Sequence, residues 1–381
     1  MIDKTELQNA MEQYQLKAMA EIFDDDFVDK ILNFDKKDPI SEMYIDGIYN
    51  YYKNRYLSTG INKTHNKVLQ LNICINELLT KYRLKDWLLS KKKEYLKSEK
   101  DNANKNAILG EIFTAGYFAR IFVDSLTPIK TSRTQTPDFE IELNKHKIIV
   151  EVNTPSMNTK EVEKLEKFHK EVEENFKKNK KSGISINTCC VCAAGYNPKY
   201  RTTAENWISK LSNIKSTSEQ FSPDDMNLLV VNLFNPDMDV IVCCHFEPIF
   251  MSHLGENYYS GNIWQAFYGK ENDNILEDYD GCLPPRKMCF DGMFYRKNNC
   301  NISAAVIMLP YKTVIFENPN ATTPLNYDVL MGLTRLHNFD LTLSRVRIPN
   351  SYYLKNTLEN TIEQDRQKIN SINREDCICF H

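Results

Sequence analysis

TPDFEIELNKHKIIVEVNTP, residues 136–155, decides how this 381-residue chain is to be read. In DFEIEL strict alternation puts Asp138, Glu140 and Glu142 on one side of an extended strand and Phe139, Ile141 and Leu143 on the other, the pattern of a half-buried strand. NKHK supplies a turn into KIIVEVN, where Ile148, Val150 and Val152 share one face and Lys147, Ile149, Glu151 and Asn153 share the other. Neighbouring strands lie about 4.8 Å apart, so a hairpin here brings Asp138 and Glu151 to one point. Two carboxylates at one point repel unless a cation lies between them. A hard divalent ion such as Mg²⁺ takes few protein oxygens and keeps places for water and for a phosphate oxygen, which suits phosphodiester hydrolysis. Glu151 is the stronger member of the pair because it interrupts the apolar run IIVEV, where an unpaired carboxylate is costly. Glu140 reads as a surface charge or as a third acidic ligand.

Outward from the hairpin the pattern is α/β. Upstream, ILGEIFTAGYFARIFVD has Ile108, Ile112, Ala115, Ala119 and Phe122 on one helical face with Glu111 at its edge, and SLTPIK is a short strand. Downstream, Asn158 and Glu161 form a capping box for a charged helix whose narrow apolar stripe is Val162, Leu165, Phe168, Val172 and Phe176. Further strands are expected at SINTCCVCAAG, NLLVVNLF, VIVCC, ISAAVIML and TVIFENP, with helices at TAENWISKLSNI and in the tail LKNTLENTIEQDRQKINSI. Residues 1 to about 100 read as helices, with LQNAMEQYQLKAMAEIF and VLQLNICINELLTKYRLKDWLLSKKKEYL carrying apolar residues at three-and-four spacing. The polar stretch KSEKDNANKNA reads as a linker. The expected organisation is an all-helical domain at 1–105, an α/β core at 106–345 and a helical extension at 346–381.

Composition narrows the function classes. Lys and Arg number 48 against 51 Asp and Glu, which excludes a surface that is everywhere an electrostatic trap for nucleic acid and leaves room for a local basic groove. No apolar run is long enough to span a membrane and the N-terminus has no signal layout, so a soluble, cytoplasmic protein is expected. The eleven cysteines form neither a disulfide framework nor a zinc pattern, and Cys189, Cys190 and Cys192 read as reduced thiols in a β-leaning apolar run. His245, Glu247 and His253 lack the PCxxC partner of a zinc deaminase and read as structural. No Walker loop, nucleotide-binding glycine motif or serine elbow is present.

At Pro137-Asp138, and after twelve intervening residues at Glu151-Val152-Asn153, the chain resembles the PD-(D/E)xK nuclease superfamily. Glu111 on the preceding helix matches an acidic position that many members carry. The likeness covers roughly residues 107 to 190. It implies a restriction-endonuclease-like α/β core: a helix, a three-stranded antiparallel or mixed sheet, a helix and further strands. It implies a Mg²⁺- or Mn²⁺-dependent endonuclease acting on nucleic acid, DNA in preference to RNA, in defence or repair, with a homodimer as a further family expectation. The ion would be held by Asp138, Glu151 and the Val152 carbonyl, with Glu111 contributing. One position departs from the family pattern, because the usual lysine is Asn153. Asparagine can orient a water but carries no charge, and a missing cation beside a developing phosphorane costs several kcal/mol. Lys160 or Lys164 on the following helix are the expected replacements, and Lys130, Arg133 and Lys164 the expected phosphate contacts. The alternative is a nuclease fold without catalysis, serving as a nucleic-acid or protein binding module.

Overall fold

A computed structural model describes residues 16–24, 26–27, 38–43, 63–122, 125–129, 136–143, 145–156, 203–211, 221–234, 246–251, 258–276, 286–296, 300–310, 312–347 and 355–372, with isolated positions at 167, 170 and 174. The expected helix after Asn158, with Lys160 and Lys164, lies almost wholly outside these residues. So do Lys130, Arg133, the cysteine run at 189–192, His245 and His253.

The described helices are α1 (Lys17–Ile22), α2 (Pro39–Glu42), α3 (Lys63–Thr80), α4 (Lys85–Lys97), α5 (Asn102–Ile121), α6 (Thr203–Leu211), α7 (Asn262–Tyr268), α8 (Tyr327–Leu333) and α9 (Lys355–Ser371). The strands are β1 (Ser125–Pro128), β2 (Phe139–Leu143), β3 (His146–Asn153), β4 (Met226–Asn232), β5 (Phe250–Met251), β6 (Tyr258–Tyr259), β7 (Asn274–Ile275), β8 (Arg286–Lys287), β9 (Ala304–Leu309) and β10 (Lys312–Glu317). The protein is α/β, with one mixed six-stranded sheet in the order β1-β2-β3-β4-β9-β10. Both outer pairings, β1–β2–β3 and β9–β10, are antiparallel, whereas β4 runs parallel to β3 and to β9. Every residue of β4 and of β9 is buried, as expected of parallel strands covered on both faces, and their sequences, LLVV between two buried asparagines in β4 and AAVIML in β9, do not alternate.

The described residues fall into two compact units. Met1–Pro155, Lys215–Asp239 and Cys300–Ser351 form the first, which contains the sheet; Ser156–Ile214, Val240–Asn299 and Tyr352–His381 form the second, made from the segments that join the parallel strands and from the tail. In the first unit α1, α3, α4, α5 and α8 share one continuous core with Phe139, Ile141, Ile148, Val150, Leu228, Val230, Ala304 and Val306 of the sheet. The helices before residue 105 therefore pack with the sheet. The stretch KSEKDNANKNA, expected as a linker, instead holds the start of α5: Asp101 caps it by accepting from Asn104 N at 3.0 Å, and Lys105 is buried. Its polar residues are used up as a cap and an ion pair, a choice that composition does not report. The single helical run expected across 68–96 is broken between α3 and α4, where Arg83 adopts φ of 54° and Leu84 N bonds back to Leu78 O at 3.1 Å. In the second unit α6 packs on α7, and α9 is tied down by Arg366, whose Nε lies 3.0 Å from Asp273 Oδ2 and whose Nη2 donates to Tyr268 O at 2.6 Å.

Candidate functional site

The hairpin forms in the register its alternation demands. Phe139 faces Val150, Ile141 faces Ile148 and Leu143 faces His146, so one step further along the pair sets Asp138 across from Glu151. Asp138 N donates to Val150 O at 3.1 Å, and its own carboxylate turns back onto the neighbouring strand, where Oδ2 accepts from Val152 N at 2.7 Å. That bond fixes the carboxylate at the point where β3 stops pairing with β2 and continues alone beside β4, with Glu151 opposite Leu229 and Asn153 opposite Val231. Glu151 and Asn153 are two residues apart and so project from the same side of β3. One oxygen of Glu151, Oε2, is fully buried.

Glu111 is brought to this strand end by close packing of α5. A Cβ added at Gly110 would lie 2.1 Å from Thr154 Oγ1, so only glycine lets the helix approach the end of β3 this closely. Asn232, at the end of β4, holds the same turn by donating from Nδ2 to Gly110 O at 3.2 Å and to Thr114 Oγ1 at 3.3 Å. Burial and the charge of Glu111 push the Asp138 carboxyl up to about 7, against the opposing effects of the Val152 N–H and Lys91. Burial likewise raises Glu111, and the adjacent Lys91 opposes that rise.

Lys91 is the residue that sequence reasoning missed. It lies on α4, and its Nζ is 2.5 Å from Glu111 Oε2 and 3.2 Å from Glu94 Oε2. Burial works to lower its pKa, but the charges and hydrogen bonds of Glu111 and Glu94 outweigh burial and leave it raised. The helix is docked by Trp87, whose ring packs edge-on against Phe139 with centroids 5.7 Å apart, next to Asp138. Lys91 follows Trp87 by one turn and sits 5.9 Å from its ring. A signal was present: Trp87, Lys91 and the fully buried Tyr95 recur every four residues, which places this lysine on the packed face of α4 rather than among the solvated charges of KKKEYLK.

Glu140 is not drawn into the cluster; it pairs with the cross-strand neighbour Lys147 at 2.9 Å, both side chains well exposed. Among the described residues no three His, Cys, Asp or Glu side chains gather at metal-binding distance, and Glu111 is turned to Lys91. The remaining donor set of two hard carboxylates on opposed strands and the Val152 carbonyl still suits Mg²⁺ or Mn²⁺, ions that take few protein oxygens and keep waters in their other positions. Cys74 is buried against Gly116 and burial raises its thiol, so it belongs to the helical core. Among the described residues no helix is long and apolar enough to cross a membrane. No protein-family model matches the chain, and neither a curated protein nor a solved structure matches it.

Proposed function

We propose that the protein is a metal-dependent nuclease of restriction-endonuclease-like fold, cutting phosphodiester bonds of DNA at Asp138 and Glu151. The observation that carries this reading is the capture of the Asp138 carboxylate by Val152 N across from Glu151, which gathers two acidic groups at one strand end beside Glu111. A carboxyl that burial, and then the charge of Glu111, raises towards neutrality is held there at a cost to folding, and such sites are enriched in function. The mixed sheet that follows α5, with β4 running parallel to β3, supports this reading.

In this reading Asp138, Glu151 and the Val152 carbonyl would hold the ion, and Glu111 would join them. A bound Mg²⁺ supplies positive charge against the phosphate and makes a coordinated water more acidic. Asn153, on the same side of β3 as Glu151, orients the attacking water through its amide. Asp138 takes part only once it has lost the proton that burial and Glu111 favour. Lys160 and Lys164, and Lys130 and Arg133 as phosphate contacts, remain proposals from the motif.

Incubating plasmid, single-stranded DNA and RNA with the protein in Mg²⁺, Mn²⁺ or EDTA tests the reading. Cleavage is expected with either ion, none in EDTA, and a loss of about a thousandfold in Asp138→Ala or Glu151→Ala. Equal cleavage in EDTA contradicts the mechanism. Nucleic-acid binding that is indifferent to metal, without cleavage under either ion, favours the binding-module alternative.

A further inference from the structure

We propose that Lys91 is the resident cation of this acidic cluster, holding Glu111 while Asp138 and Glu151 carry no divalent ion and releasing it when one binds. The inference rests on the metal reading above and adds a residue that the motif does not contain.

Four features carry it. Among the described residues, Lys91 is paired to Glu111 at 2.5 Å and its charge bears on both Glu111 and Asp138. The strand position where a lysine is expected holds the uncharged Asn153, so the β-hairpin brings no positive charge of its own at that point. The Lys91 and Glu111 side chains retain 13% and 18% exposure, so this pair borders solvent as a sealed ion pair does not. Finally, Lys91 has a second acceptor in Glu94, on its own helix, 3.2 Å away and 47% exposed. An ammonium that gives up Glu111 therefore keeps a partner and is not left as a lone charge in a half-buried place. A divalent ion and this ammonium compete for the same carboxylate, so Lys91 sets the affinity with which the ion is taken up.

Calorimetric titration with Mn²⁺, together with thermal unfolding in chelator and in saturating Mn²⁺, tests the proposal on the full chain, its Lys91→Met and Lys91→Arg variants, and Asp138→Ala. Lys91→Met is expected to bind Mn²⁺ about tenfold more tightly, because a competing positive charge has gone. Its melting temperature falls in chelator and recovers in Mn²⁺, as the ion replaces the missing charge, whereas Lys91→Arg keeps an affinity close to the parent's. Binding by Lys91→Met that is no tighter than the parent's overturns the proposal, and so does a thermal loss that saturating Mn²⁺ leaves in place, since both describe a strut between helices. If Lys91→Met does not fold, Lys91→Gln keeps a donor for Glu111 without the charge and is read the same way. A parent protein that takes up no Mn²⁺ through Asp138 removes the metal reading itself, and this inference with it; uptake without tightening removes this inference alone.

Discussion

Among the lysines that pair with carboxylates between the helices of the first unit, Lys105 and Lys91 are built in opposite ways. Lys105 Nζ lies 2.7 Å from Asp38 Oδ2 with both side chains 1% exposed, and both partners are bonded further within the fold. Asp38 Oδ1 accepts from Ile40 N, Ser41 N and the Tyr95 hydroxyl, while Lys105 also donates to Glu99 O at 2.9 Å. The Lys91–Glu111 pair has no such closure: it borders Asp138, keeps contact with water and has Glu94 as a second acceptor. A sealed and saturated pair fixes how α2, α4 and α5 meet and has nothing left to bind. An open pair beside a carboxyl that burial raises to about 7 is arranged to change partners.

The comparison can be broken most forcefully at its sealed end. Replacing Asp38 by alanine leaves the Lys105 ammonium buried without its carboxylate, a change that typically costs about 3–5 kcal/mol. Chemical denaturation is expected to show a loss of that order, and Mn²⁺ should not repair it, because the site lies elsewhere in the unit. A loss below about 1 kcal/mol would show that the pair is not sealed as described.

A smaller effect sharpens the open end. Asp138 has a folded-state value of about 7 against an ordinary aspartate value of 3.8, so the folded protein binds this proton more tightly than the unfolded chain does. The stability from this group is therefore complete below about pH 4 and is lost as pH rises through about 7, at a slope of at most about 1.4 kcal/mol per pH unit. Unfolding in chelator at pH 5 and pH 8 should show the parent weakening relative to Asp138→Asn, which has no proton to lose. Parallel behaviour of the two proteins would remove the buried, raised Asp138 carboxyl on which the site argument rests.

Much of this was legible in the chain itself. Strict alternation in DFEIEL and the β-branched run KIIVEV specify the hairpin and its register, since a slip of one residue would carry Phe139 and Ile141 out of the core. The fully buried β4 and β9 are legible as apolar runs, and α5 as a helix, although its burial extends well beyond the expected stripe to Leu109, Phe113, Tyr117 and Phe118. The order of β4 against β9 was not legible, because it depends on parallel pairing between segments more than 70 residues apart. The four-residue spacing of Trp87, Lys91 and Tyr95 marked Lys91 as facing inward, but its meeting with Glu111 was not legible, because that comes from packing of Trp87 against Phe139 and not from any spacing around the hairpin. The break at Arg83 escaped for a related reason: a non-glycine residue in the left-handed region leaves no compositional mark.

The central claim is that Asp138 and Glu151 together take up a divalent ion at the end of the β2–β3 hairpin. Isothermal titration of the full chain with Mn²⁺ at pH 8 tests it most directly, with Asp138→Ala and Glu151→Ala measured alongside. The account predicts saturable uptake that either substitution abolishes. No uptake, or uptake that survives both substitutions, would contradict it.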